Sequence, residues 1–257
     1  MSMLQVHMFP CLQDNYCFLV HDRESDITAV VDTPEVAAIE RALQETGWKL
    51  DYIMNTHHHW DHAGGNLELK EKTGCRIVGP RADRDRIPGL DIEVGDGDRF
   101  QLGKRVALVY DTPGHTRGHI VYHFADDHVA FVGDTLFAMG CGRLFEGTPA
   151  QMWASLSKLM ARIPDDTRLY CAHEYTQSNA RFALSVEPDN IELVARAEAV
   201  DRLRKQNQPT VPTTMALEKA TNPFLRPDSP GLQAVLGLTG HDPIEVFAQT
   251  RQRKDNF

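Results

Sequence analysis

Four good metal ligands fall within six positions: His57, His59, Asp61 and His62. They lie in the stretch Tyr52–Asn66, YIMNTHHHWDHAGGN. Three imidazoles and an acid at fixed spacing have no role in packing and read as a metal site. Three more residues follow apolar runs in the same way: His115, Asp134 and His173. Imidazole and carboxylate together suit zinc, iron or manganese, and no thiolate cluster suggests a structural zinc site. Seven ligands are too many for one tetrahedral ion. They suit two ions sharing a carboxylate, about 3.5–4 Å apart. Asp134 is the natural bridge, because a carboxylate has two oxygens and an imidazole one free lone pair. The chemistry of such a pair is hydrolysis: two cations lower the pKa of a shared water and one can polarise a carbonyl. No G-x-S-x-G is present and no Cys has an adjacent base in sequence. The remaining histidines, His7, His21, His58, His119, His123, His128 and His241, read as surface or satisfied core residues.

The elements that must position these ligands are strands. Leu4–Phe9 alternates, Tyr16–Val20 is apolar, and Ile27–Val31 is a buried-type run ending at Asp32. Thr33-Pro34 predicts a helix start, running to about Thr46 with Gly47 as its stop. Leu50–Met54 is the strand before the ligand loop, and Ala63-Gly64-Gly65 lets the chain turn after it. A short helix is expected over Asn66–Lys72, a strand over Cys75–Val78, and an irregular excursion over Arg81–Asp98. Val106–Tyr110, Ile120–Phe124, Val129–Val132 and Arg168–Ala172 read as further strands. Pro149–Ile163 reads as a helix capped by Thr148. Beyond His173 the periodicity is helical only, over Gln177–Val186, Ile191–Gln206 and Pro243–Lys254. The expectation is an α/β (α+β) domain over 1–172 followed by a small α-helical domain over 173–257.

Composition limits the partners. The 257 residues carry a net charge of −9, which argues against nucleic acid. The acidity lies in residues 1–172, with 17 Lys+Arg against 25 Asp+Glu; the rest is nearly balanced, with 10 against 11. Five Cys with no C-x-x-C suit a reducing compartment, and Cys141, in a glycine-rich loop, is the one to watch. No signal peptide or membrane span is visible, so a cytoplasmic protein without a membrane partner is expected. A monomer is the expectation.

Thr56–His62 resembles the T-H-x-H-x-D-H signature of the metallo-β-lactamase superfamily. The likeness continues through Thr112-Pro113-Gly114-His115-Thr116, Gly133-Asp134-Thr135 and His173. It implies an αββα sandwich with a two-metal site. His57, His59 and His115 would hold one ion, Asp61, His62 and His173 the other, and Asp134 both. His58 and Trp60 would point away. A narrower likeness spans the chain: Asp14-Asn15-Tyr16, Gly140-Cys141-Gly142-Arg143, His173-Glu174-Tyr175-Thr176, Asn222–Arg226 and Arg251–Asp255 resemble hydroxyacylglutathione hydrolase, the glyoxalase II family. It implies hydrolysis of S-D-lactoylglutathione to glutathione and D-lactate, the second step of methylglyoxal detoxification. A hydroxide between two divalent metals, zinc in the first instance, would attack the thioester, with Asp61 and Asp134 as catalytic residues. Arg143, Tyr175, Arg251 and Lys254 would contact glutathione. Phe145 departs from the family, which often has Tyr there, and predicts weaker glutathione binding. From the residues alone, the cations Arg251, Arg253 and Lys254 suit a substrate with two carboxylates, but equally suit a helix C-terminus.

Three other readings stay open at this point. A persulfide dioxygenase shares the fold but uses a single iron. A tRNA-processing nuclease shares the fold but wants a basic surface. A non-catalytic, metal-stabilised binding module would keep the ligands without turnover.

Overall fold

The structure, a computed structural model, describes residues 4–257. The chain packs into two compact units. One comprises residues up to Thr112 with Arg117–Gly133; the other comprises Pro113–Thr116 with Asp134–Phe257.

The first unit begins with β1 (Gln5–Cys11), β2 (Asn15–Asp22) and β3 (Ile27–Val31), an antiparallel meander. Helix α1 (Val36–Thr46) then returns the chain so that β4 (Tyr52–Met54) adds parallel to β3. The chain continues through α2 (Trp60–Ala63), α3 (Asn66–Thr73), β5 (Arg76–Pro80) and β6 (Ile92–Val94), giving a sheet in the order β1-β2-β3-β4-β5-β6. Strands β7 (Arg99–Leu102), β8 (Arg105–Asp111), β9 (Ile120–Phe124) and β10 (Val129–Gly133) pair antiparallel as neighbours in a second sheet.

Strand β2 is buried along its whole length because both its faces are covered. Its side chains alternate. Cys17 and Leu19 join Val30, Ile39, Ala42, Ile53, Leu69 and Ile77 in a core beneath α1 and α3. Phe18 faces the other way and meets Phe131 of the second sheet, with ring centroids 5.5 Å apart. Tyr52 and Phe100 make a second such contact at 5.2 Å. The ligand loop after β4 therefore leaves a strand that is packed on both sides.

Strand β7 is not among the expected elements, and two further features of this unit differ from the sequence expectation. Helix α1 starts at Val36, later than Thr33-Pro34 suggests. The Thr33 amide is committed to His62 O at 2.8 Å and its hydroxyl to Asn66 Oδ1 at 2.7 Å, so this residue ties the ligand loop instead of opening a helix. The excursion after Arg81 also contains β6, a strand too short to show alternation. Helix α1 does end at Gly47, which sits at φ +73°.

His123, on β9, is buried, with Tyr110 Oη 3.3 Å from its Nδ1. Burial, aided by the nearby His128, lowers its pKa from 6.5 to about 4. The folded state therefore holds His123 neutral while the unfolded chain takes up the proton first. Stability is full above about pH 6.5 and falls as the pH drops towards 4. The thermal midpoint of His123→Phe should depend less steeply on pH between 6.5 and 4 than that of the wild type. Equal slopes would show that His123 carries none of the acid sensitivity.

The second unit opens, after the Pro113–Thr116 segment, with a two-residue-turn hairpin, β11 (Leu136–Phe137) and β12 (Gly140–Cys141). Helix α4 (Pro149–Arg162) follows and carries the expected cap: Thr148 Oγ1 accepts from Gln151 N, and Gln151 Oε1 accepts from Thr148 N. Then come β13 (Arg168–Cys171), α5 (Thr176–Val186), α6 (Ile191–Lys205), β14 (Thr213–Thr214), α7 (Met215–Thr221), α8 (Pro230–Leu236) and α9 (Pro243–Asp255). Helices α5 and α6 bury Ala180, Ala183, Leu193, Ala197 and Val200 around Met139, the turn residue of the hairpin. Helix α9 packs on α4 through Trp153 and Phe247 at 6.1 Å.

Candidate metal centre

In the first unit two of the candidate ligands, His57 and His62, are oriented by one buried carboxylate. Asp32 follows β3 directly, at φ +59°, a left-handed conformation that Asp tolerates better than most residues. Its Oδ1 accepts from Thr56 N at 2.8 Å and its Oδ2 from Thr56 Oγ1 at 2.8 Å. Having donated to Asp32, the Thr56 hydroxyl is an acceptor for His57 Nδ1 at 3.0 Å. Asp32 Oδ2 also accepts directly from His62 Nδ1 at 2.8 Å. Both imidazoles thus carry their proton on Nδ1 and hold their lone pair on Nε2. This is how carboxylates orient metal-bound histidines. The two rings lie 4.0 Å apart between centroids.

His59 presents the other nitrogen. Its Nδ1 is 3.0 Å from His57 Nε2, so two ring nitrogens converge. The one-turn helix α2 begins just after it and carries Asp61 and His62. Asp61 Oδ2 lies 3.5 Å from His62 Nε2 and accepts from Asn15 Nδ2 at 3.2 Å. Asn55 braces the same loop, donating to His62 O at 2.8 Å and accepting from Asn66 Nδ2 at 2.7 Å. The intervening residues turn away. Trp60 is 70% exposed, and His58 pairs with Asp83 at 2.9 Å and Arg86 at 3.2 Å.

In the second unit one carboxylate oxygen stands near two imidazoles. Asp134 Oδ2 is 3.4 Å from His115 Nε2 and 3.5 Å from His173 Nε2. His115 Nδ1 donates to the Arg143 carbonyl at 2.8 Å, which again leaves the Nε2 lone pair available to a cation. The backbone is tight here. A Cβ at Gly142 would come within 2.1 Å of Asp134 O and 2.9 Å of His115 Nδ1. His173 stacks on Tyr175 at 4.7 Å with rings 1° from parallel.

The cations of the second unit lie at two depths. Arg143 is exposed, with its Nε 3.9 Å from Asp255. Arg251 is buried; its Nη1 donates to Cys141 O at 2.8 Å and its Nη2 meets Asp255 Oδ1 at 2.9 Å. Lys254 Nζ is 3.3 Å from Ser178 Oγ and sits over the rings of Phe182 and Phe257 at 5.4 Å. Burial, and then the charges of Arg251, Arg181 and Arg143, lower the Lys254 pKa to about 8. Phe145 is 64% exposed and meets the edge of the His115 ring at 5.2 Å. The five cysteines are buried and free, and burial pushes Cys141 to about 11 and Cys171 to about 12. Neither is a thiolate nucleophile at neutral pH.

All seven predicted ligands belong to groups of side chains able to hold a metal ion. Their chemistry fits a divalent cation: imidazoles oriented from behind, carboxylate oxygens, and no thiolate. Sequence reasoning missed Asp32. The available signal was an acid closing a buried strand, the same context that singled out Asp134.

Comparison with known proteins agrees with this chemistry. Residues 14–173 match the model of the metallo-β-lactamase superfamily, and residues 174–257 match that of the hydroxyacylglutathione hydrolase C-terminus. A hydroxyacylglutathione hydrolase from Maricaulis maris is 58% identical over 257 residues, covering all of both chains. One from Methylococcus capsulatus is 52% identical over 255 residues, covering 99% of each. Among solved structures, ETHE1 from Myxococcus xanthus superimposes with a TM-score of 0.67 at 23% identity over 98% of both chains. The BLEG-1 B3 metallo-β-lactamase does so with a TM-score of 0.66 at 19% identity, over 86% of this chain and all of its own. These likenesses establish the metallo-β-lactamase fold, with its αββα layers followed by a helical C-terminal region, and the His/Asp cluster is a centre for divalent metal ions. At more than half identity along its whole length, the chain belongs to the hydroxyacylglutathione hydrolase (glyoxalase II) family of thioesterases.

Proposed function

We propose that this enzyme hydrolyses S-D-lactoylglutathione, and related 2-hydroxyacyl thioesters, to glutathione and the hydroxy acid. In this reading His57, His59 and His115 hold one divalent ion and Asp61, His62 and His173 a second, with Asp134 shared. The observation that carries it is the position of Asp134 Oδ2 at 3.4 and 3.5 Å from the Nε2 atoms of His115 and His173. One oxygen facing two imidazole nitrogens suits a carboxylate shared between cations. Zinc is the expected metal, because imidazole-rich sites suit it.

Two bound cations supply a water of lowered pKa and a polarised carbonyl. The protein residues do the rest. Asp61, held by Asn15, orients the attacking water and takes hydrogen bonds from it. Addition to the thioester carbonyl is followed by cleavage of the C–S bond, and glutathione departs as a thiolate. That leaving group is stable, so strong general-acid help is unnecessary. Arg143, Lys254 and Arg251 supply positive charge for the glutathione carboxylates. Tyr175, 37% exposed beside His173, offers its hydroxyl to the peptide backbone. Phe145 offers no hydroxyl, so the acceptor it would serve stays with water and affinity is lower. Residues 173–257 act as the glutathione-binding region in this assignment. A monomer in the cytoplasm is proposed, supported by the five free thiols. Among the described residues no helix is long and apolar enough to cross a membrane.

The deciding experiment is thioester hydrolysis of S-D-lactoylglutathione with metal content measured on the same sample. Turnover with two equivalents of metal is expected. One equivalent of iron without turnover would instead identify a persulfide dioxygenase.

Lys254 adds a pH signature. Its ammonium is largely charged at pH 7, half charged near pH 8 and lost as the pH rises further. The KM for the thioester should therefore rise roughly tenfold between pH 7 and 9, following the charged fraction of the free enzyme. Lys254→Arg should flatten that rise, because the guanidinium does not titrate there. An identical profile in the variant would remove Lys254 from the carboxylate site.

A further inference from the structure

The hairpin that follows Asp134 is held at five consecutive residues by side chains of the helices and of a helix cap. Asn222 Nδ2 donates to Phe137 O at 3.1 Å and to Gly140 O at 2.9 Å. Asn179 Nδ2, from α5, donates to Ala138 O at 3.1 Å. Glu218 Oε2, from α7, accepts from Met139 N at 2.9 Å. Arg251 Nη1, from α9, donates to Cys141 O at 2.8 Å. All four side chains are buried, and Glu218 and Asn222 are fully so.

A two-residue turn needs little of this to form. Met139 stands at φ +56°, a conformation that costs energy for a residue with a side chain. It is kept there by the Glu218 carboxylate on its amide and by the α5–α6 core around its side chain. Glu218 is in turn tied down. Its Oε1 accepts from Arg196 Nη2 at 2.5 Å and from Thr213 Oγ1 at 2.6 Å, while its Oε2 also accepts from Asn222 Nδ2 at 3.0 Å. A buried polar network this complete specifies one geometry.

The two ends of the clamped segment reach candidate ligands. Asp134 precedes β11 by two residues. Arg143 follows β12 by two, and its carbonyl orients His115. Gly142 lets this segment lie directly against Asp134 and His115.

We infer that Asn222, Glu218 and Asn179 are positioning residues of the metal centre: through the 137–141 hairpin, the helical region sets the placement of Asp134 and of the carbonyl that orients His115. This rests on the assignment of Asp134 and His115 as ligands. It gives the helical region a task beyond meeting glutathione, and gives the Asn222–Arg226 stretch a role at the metal.

The test is Asn222→Ser. Serine keeps the cap that Asn222 Oδ1 makes on Phe224 N but cannot reach the two hairpin carbonyls. Asn190→Ser is the control. Asn190 likewise caps a helix and ties it to Ala220 O, without touching the hairpin. Zinc affinity of the chelator-stripped, full-length protein is measured by competition with a chromophoric chelator. Asn222→Ser should bind zinc about tenfold more weakly, as loss of an orienting partner does at other metal sites. Asn190→Ser should bind as the wild type does. With zinc in excess, the Asn222→Ser defect should fall on kcat, with KM within twofold. Should Asn222→Ser not fold, Asn179→Ala carries the same expectation. Unchanged zinc affinity in the folded variant, or equal weakening in Asn190→Ser, overturns the inference. Asp134→Ala in the same assay separates the two levels: if it keeps full zinc affinity, the ligand assignment itself has failed.

Discussion

Asp134→Ala is expected to lose activity and metal together. The carboxylate stands within 3.5 Å of the Nε2 atoms of both His115 and His173. The backbone beside it is tightly packed. A Cβ at Gly142 would already overlap Asp134 O. In the proposed two-ion assignment, removing the shared acid would take away the negative charge that His115 and His173 share, and with it a ligand for each ion. The expected fall in kcat is on the order of a thousandfold, about 4 kcal/mol of barrier. Metal content should drop from two equivalents to one or fewer. Asp134→Asn should be intermediate in metal content, because its oxygen can still coordinate but carries no charge. Full activity in Asp134→Ala would dispose of the two-ion assignment.

How much of this was legible beforehand follows from length and periodicity. Strands β2, β3 and β4 are short apolar runs closed by polar residues, and their order around the ligand loop could be read directly. Helices α4, α5, α6 and α9 carry caps or sustained patterns. Helices α7 and α8 span seven residues each, less than the window in which a helical period declares itself. Strands β11, β12 and β14 are two residues long and exist only through their partners. The candidate ligands were legible because imidazole and acid at fixed spacing serve no packing purpose. The residues that orient them were not. Asp32 reads in sequence as a strand end, and Glu218 as an ordinary helix glutamate. Each acquires its role only when the fold places a histidine or a strained amide against it.

Asp32→Ala should be the most damaging substitution outside the ligands themselves. The carboxylate accepts three hydrogen bonds, from Thr56 N, Thr56 Oγ1 and His62 Nδ1, each at 2.8 Å. Two costs arise. The buried Thr56 amide loses its acceptor, which destabilises the fold by about 1–3 kcal/mol. The left-handed backbone at φ +59° adds to this, because alanine resists it more than aspartate does. The second cost falls on the metal. Without Asp32, the His62 Nδ1 proton loses its 2.8 Å acceptor, and the Thr56 hydroxyl is released to rotate and donate to His57 Nδ1. Both rings can then adopt the tautomer that puts a proton on Nε2, the nitrogen needed for coordination. Partners of this kind are worth about 10–100-fold in metal affinity, and here one carboxylate serves two proposed ligands. Asp32→Asn separates the effects. Its oxygen can satisfy the Thr56 amide and recover most of the stability, while its NH2 cannot accept from His62 Nδ1. Thermal melting of the chelator-stripped protein should therefore rank the wild type and Asp32→Asn close together, with Asp32→Ala well below. Zinc affinity should instead group the two variants together, both well below the wild type. If Asp32→Asn binds zinc as the wild type does, the carboxylate serves the fold and not the tautomers of His57 and His62.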